Sequence, residues 1–208
     1  PLKDFKIRKF QPRAHHAHHG SANLRKGVFT LSKRKINHLV VHHSVSSWGD
    51  GEVVKSWHTS PRPRGNGWKA PGYHVVICNG YPNYNSWNRR KPMPSADGRV
   101  DRIWPESKIS NGCRYANAHG LHVCLIGDLD KNRPTEKQTH KLVDLLTFWC
   151  KKYSLDPLTD IYGHGEMQRK IGREGYSKTC PGKMVDMECV RARVAVQLYG
   201  LSSGSEVA

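Results

Sequence analysis

Three places in this chain gather side chains able to hold a metal ion. His42 and His43 close an apolar run, His164 follows Ile161, Tyr162 and Gly163, and Cys180 precedes Pro181 and Gly182. Two imidazoles and a thiolate suit zinc, and a catalytic zinc site takes three protein ligands while keeping its fourth tetrahedral position for water. Neighbouring side chains of a strand point to opposite faces, so at most one of His42 and His43 joins such a group if the strand runs that far. Parity does not say which. The other then faces substrate or supports the group from behind, unless it is a buried histidine satisfied by the backbone. Lys178 stands two residues before Cys180, so in an extended segment both side chains face the same way. An ammonium there could stabilise the negative oxygen that develops when hydroxide adds to an amide carbonyl. Spacing alone favours a plainer role for Lys178, as one more cation in a basic loop with Arg169, Lys170, Arg173 and Lys183.

Positioning such a group requires a scaffold, and the apolar pattern supplies one. Ile36 to Ser44, Tyr73 to Asn79 and Leu121 to Gly127 are short, β-branched apolar runs of strand length, with Arg99 to Trp104 a weaker fourth. Continuous apolar strands suit a sheet covered on both faces. Thr135 and Gln138 form a capping box, after which Leu142, Leu145, Leu146, Trp149 and Tyr153 recur at helical spacing until Asp156 and Pro157. Met187, Val190, Val194 and Leu198 repeat likewise and stop at Gly200. Tyr81 to Ser95, rich in Asn and Pro, reads as a long exposed loop. The expected fold class is α/β: a single domain with a central mixed β-sheet flanked by helices, over residues 36–200. Residues 1–35 read as a basic, His-rich arm and 201–208 as a flexible tail.

The 208 residues carry 34 Lys and Arg against 17 Asp and Glu, a net charge of +17, which points to an anionic partner. Residues 1–35 hold ten of these cations and one acid, so about half the excess sits on the arm. Nucleic acid, teichoic acid and lipopolysaccharide all satisfy such a charge, as does a purely solubilising tail. The HHAHH run of the arm fixes no coordination geometry. No apolar run approaches the roughly 20 residues of a membrane span, so the chain is not expected to be an integral membrane protein. No secretory signal is seen at its start. Six cysteines without CxxC pairs or regular spacing fit a reducing compartment of synthesis.

The runs VVHHS (40–44), WHTSPRPRGNGWKAPGYHVVI (57–77), NAHGLHVCLIGD (117–128), YGHGEMQ (162–168) and KTCPG (178–182) make residues 36–200 resemble the type 2 N-acetylmuramoyl-L-alanine amidases. That family includes amidase-type phage lysozymes and animal peptidoglycan recognition proteins. The resemblance implies that His42, His164 and Cys180 bind one Zn2+ per chain and that Tyr73 and Lys178 are catalytic. It also places His119 in a loop bordering the substrate groove; with His42 a ligand, parity leaves His43 as the substrate-side or supporting residue. Trp57 and His58 match too, though a helix face packing on the sheet explains them. The implied reaction is hydrolysis of the amide between N-acetylmuramic acid and L-alanine of peptidoglycan. Within that family, the absence of a visible secretory signal and the basic appendage favour a phage endolysin made in the bacterial host cytoplasm over a secreted immune protein; the expected protein is a monomer with no specific nucleic acid partner, its charge suggesting an arm drawn to anionic envelope polymers. A non-catalytic peptidoglycan-binding protein of the same fold and a basic nucleic-acid-binding protein are the competing readings. Three features depart from the family pattern: a long basic connection between His164 and Cys180, an insertion over residues 80–96, and the arm.

Overall fold

The computed structural model describes residues 34–173 and 175–200; most of the basic arm, with its HHAHH run, and the tail lie outside them. In chain order the elements are β1 (His38–His43), α1 (Gly51–Thr59), β2 (Val75–Asn79), α2 (Tyr84–Asn88), β3 (Asp97–Arg102), a 3-10 turn (Asn117–His119), β4 (Gly120–Leu125), α3 (Glu136–Tyr153), β5 (Ile161–Gly163), α4 (His164–Lys170) and α5 (Met187–Tyr199). The five strands form one sheet in the order β3-β2-β4-β1-β5. β1 runs parallel to β4 and β5, and β2 parallel to β4, whereas β3 is antiparallel to β2. The sheet is therefore mixed, with a polar edge strand beside four apolar ones.

Its two faces explain why the strands read as unbroken apolar runs. On one face Leu39, Val41, Leu121, Val123 and Leu125 pack with Leu142, Leu146 and Trp149 of α3 and Val190 and Val194 of α5. On the other, Val54 and Trp57 of α1 pack on Val76, Cys124 and Ile126. Each fully buried aliphatic side chain contributes about 1.5–3 kcal/mol relative to exposure, so this double cover dominates the fold's stability. The capping box forms in both directions, the Gln138 N–H donating to Thr135 Oγ1 at 3.0 Å and the Thr135 N–H to Gln138 Oε1 at 3.1 Å. Gln138 then donates from Nε2 to the carbonyls of Ile77 and Ile126, tying α3 to the ends of β2 and β4.

Three observations refine the sequence reading. The segment 81–95 is not wholly loop: it holds α2, whose first turn is capped by the Asn83 side chain accepting the Ser86 N–H at 2.9 Å. β5 and α4 form where no periodicity announced them. Arg34, assigned to the arm, is built into the domain, donating to the carbonyls of Glu106, Asn117 and Gly120 at 2.9–3.1 Å.

Candidate metal centre

His42 is the second-last residue of β1 and turns toward the face covered by α1, in register with Cys124. β5 pairs with β1 so that Gly163 lies beside Val41, which puts the next residue, His164, alongside His42; their ring centroids are 4.7 Å apart. Cys180 is brought in by backbone contact, the Gly165 N–H donating to its carbonyl at 2.8 Å. Gly163 leaves room for this approach, because a Cβ there would meet Pro181 Cδ at 2.7 Å. The ligand atoms of His42, His164 and Cys180 consequently all lie within 4.8 Å of one another.

This spacing fits zinc. Bond lengths of about 2.0–2.1 Å to nitrogen and 2.3 Å to sulfur at tetrahedral angles put N and S roughly 3.6 Å apart, and Cys180 Sγ stands 3.7 Å from His42 Nδ1. Burial, reinforced by the neighbouring His164, holds the His42 imidazole well below its usual pKa. Burial and the nearby Lys178 bring that of His164 down to about 4. Burial pushes the Cys180 thiol up to about 12, against the pull of the His43 backbone N–H. The three groups are thus neutral near pH 7: both imidazoles have their ligating form, and only the thiol must lose a proton to bind a cation.

Tyr73 belongs to the same cluster. Its half-buried ring lies 4.8 Å from that of His42, and burial raises its phenol well above the usual value, with the Cys124 thiol as its hydrogen-bond neighbour. Lys178 is exposed and lines an open cleft of about 620 Å3 with Arg173, Tyr176 and Ser177; the Tyr176 ring sits 5.4 Å from His164. The arrangement is a three-donor metal group with the Tyr73 phenol against His42, and next to it, across Tyr176, an open cleft that carries the Lys178 ammonium.

The two residues expected on the substrate side lie away from the metal group. His43 points to the opposite face, 6% exposed, where its Nδ1 accepts the Leu129 N–H at 3.1 Å; strand parity turns it away from the cleft side. His119 is exposed on the 3-10 turn before β4, and its Nδ1 lies 2.9 Å from the Lys35 carbonyl. The adjoining Gly120 pairs with His38, four strand residues or roughly 13 Å from His42. His119 thus sits at the far end of the sheet from the metal group. Trp57 packs on the sheet as expected, whereas the His58 ring stands edge-on to Tyr73 at 5.2 Å and stacks on Trp68 at 5.0 Å.

The sequence reading missed His122. It is fully buried on β4, and its Nδ1 lies 3.0 Å from His42 Nε2. The available signal was a single polar residue at an even spacing from Cys124 inside the apolar run LHVCLIG.

A family model described as N-acetylmuramoyl-L-alanine amidase matches residues 32–183. No curated protein sequence matches the chain. Among solved structures, the N-acetylmuramoyl-L-alanine amidase LysC from Clostridium intestinale URNW is similar at 20% identity and TM-score 0.58, over 83% of this chain and 94% of that one. The Ph2119 endolysin from Thermus scotoductus MAT2119 bacteriophage Ph2119 is similar at 20% identity and TM-score 0.51, over 82% and 92%. Wild-type PGRP-LB of Drosophila is similar at 17% identity and TM-score 0.52, over 78% and 81%. At these identities the likeness is one of fold.

Proposed function

Because the chain belongs to the N-acetylmuramoyl-L-alanine amidase family, we propose that it hydrolyses the amide bond between N-acetylmuramic acid and L-alanine in peptidoglycan, with one zinc ion held by His42, His164 and Cys180. The observation that carries this reading is the convergence of those three ligand atoms within 4.8 Å beside an open cleft. Zinc with an open coordination position supplies a polarised carbonyl and a water acidic enough to act as nucleophile at neutral pH.

The chain's own groups supply the rest. Tyr73 keeps its phenolic proton at every working pH, so it serves as a fixed donor that orients the carbonyl or the attacking water. Lys178 provides a positive charge at the mouth of the cleft, where the amide oxygen becomes negative as the tetrahedral centre forms. A protein that binds peptidoglycan without cutting it has no need of the thiolate donor, so Cys180 favours hydrolysis. The endolysin among the similar folds supports a lytic role, with synthesis in the bacterial cytoplasm and action on the cell wall. The residues before Arg34, with their excess of cations, then draw the enzyme to anionic envelope polymers.

The test is metal analysis of the purified protein together with digestion of purified peptidoglycan, scored by new amino termini with and without a chelator. One zinc per chain and chelator-sensitive release are expected. Release that survives complete metal removal would sink the zinc assignment, and no release from the zinc-loaded protein would sink the hydrolase.

A further inference from the structure

We propose that His122 is a positioning residue that holds His42 in its metal-ligating tautomer, an inference that rests on the zinc reading above. His42 has two ring nitrogens with different neighbours. Nδ1 faces Cys180 Sγ at 3.7 Å, and Nε2 faces His122 Nδ1 at 3.0 Å. A ligating nitrogen needs its lone pair, so in the neutral ring the proton must sit on Nε2, and that proton needs an acceptor. His122 Nδ1 provides it, which in turn places the proton of His122 on its own Nε2.

Two proton arrangements satisfy the 3.0 Å contact between the rings, and ligation of the metal through Nδ1 selects one. With the proton on His42 Nε2, both nitrogens of that ring have a partner: His122 accepts at Nε2, and the Cys180 thiol can donate to Nδ1. The reverse arrangement puts the proton on Nδ1, the nitrogen that must keep its lone pair to bind the metal.

The ring of His122 is held firmly in place. It stacks on His74 with centroids 5.9 Å apart and planes 12° from parallel, and its backbone N–H donates to His74 Nδ1 at 3.0 Å. That bond puts the His74 proton on Nε2, which donates to the Lys108 carbonyl at 3.0 Å. Gly112 makes the space, since a Cβ there would come within 2.5 Å of His122 Nδ1. Packing alone does not account for an imidazole at this position. Its Nε2 is buried with no hydrogen-bond partner among the described residues, a costly state that an aliphatic side chain would avoid. The compensating contact is the one to His42.

The experiment compares the full chain with its His122→Leu and His122→Asn variants. Zinc affinity is read by competition with a chromophoric chelator, and the tautomers in the metal-free protein by long-range 1H–15N NMR. Loss of such an outer-shell partner typically weakens metal binding roughly 10- to 100-fold. The Leu variant should show that loss while keeping the thermal midpoint of the metal-free protein. The Asn variant, whose side-chain oxygen lies near the Nδ1 position, should recover most of the affinity. In the metal-free parent, His42 and His122 should both be protonated on Nε2. Zinc binding by the Leu variant equal to the parent, or an Asn variant no better than Leu, would overturn the proposal, as would a parent His42 protonated on Nδ1. If the Leu variant does not fold, the parent's tautomers and the Asn variant still decide. A parent that binds no zinc would bring down the metal reading itself, and this inference with it.

Discussion

Glu106 Oε1 accepts the indole N–H of Trp149 at 2.9 Å, joining the loop after β3 to the buried side of α3. Its Oε2 accepts from Lys152 Nζ at 2.7 Å and from the Tyr153 hydroxyl at 2.6 Å, so one carboxylate fastens three residues of the helix. Burial works to raise this carboxyl, yet the hydrogen bonds from Lys152, Tyr153 and Trp149 outweigh it and hold the group below the ordinary glutamate range. A depressed folded-state value means the stabilisation is fully present above the unfolded value of about 4.5 and is lost as the pH falls through the folded one. The thermal midpoint of the parent should therefore fall as pH drops below about 4.5. Glu106→Gln should lower the midpoint at pH 7 by roughly 5 °C, for a loss of about 1–3 kcal/mol, and should flatten the acid limb. Parallel acid limbs in the two proteins would assign the acid sensitivity elsewhere.

Lys178→Ala separates metal binding from charge stabilisation. The side chain is exposed and supplies no ligand atom to the metal group, so zinc content should stay at one per chain while turnover on purified peptidoglycan falls about a hundredfold or more, the usual effect of losing an oxyanion donor. Cys180→Ala gives the contrast, since two imidazoles alone should not retain the ion through dialysis. Undiminished turnover in the Lys178 variant would return this residue to the surface-cation role that its spacing favoured.

What the sequence made legible follows from which forces are periodic. β1, β2 and β4 are buried on both faces and so appear as apolar runs, and α3 and α5 repeat every three or four residues because one stripe of each meets the sheet. β5 has three residues and α2 five, too few for any period. α4 is held by specific contacts instead: Glu166 accepts the Gly163 N–H at 2.7 Å and pairs with Arg191 at 3.0 Å. The candidate ligands were visible as residue types, but choosing between His42 and His43 required the face each turned to, which only the partner strands set. His122 lay hidden because a strand interior normally holds apolar residues, and the reason for a histidine there lies 80 positions away in the chain.

Deleting residues 1–30 tests the targeting role of the arm. Those residues carry seven Lys and Arg and one acid, and surface attraction of this kind is screened over about 8–10 Å at physiological salt. Lysis of intact cells should fall much more than cleavage of purified peptidoglycan, and the gap should narrow as salt is raised. Equal loss on both substrates would argue that the segment serves the domain itself.

Gly112→Ala probes the metal group from behind without touching a ligand. The added methyl would lie 2.4 Å from the Gly72 carbonyl oxygen and 2.5 Å from His122 Nδ1, both far inside contact distance. The backbone at Gly72 is tied down, its N–H donating to His58 Nδ1 at 3.1 Å, and the imidazole of His122 is clamped against His74, so neither neighbour yields freely. Overpacking of this kind costs roughly 1–3 kcal/mol, and part of the relaxation must displace the ring that accepts from His42. The expected result is a lowered midpoint together with weaker zinc binding, whereas a purely structural effect would lower the midpoint and leave the zinc affinity of the folded protein intact. Chelator competition at a temperature well below the variant's midpoint separates the two, and an unchanged affinity there would mean that His42 keeps its ligating geometry without help from His122.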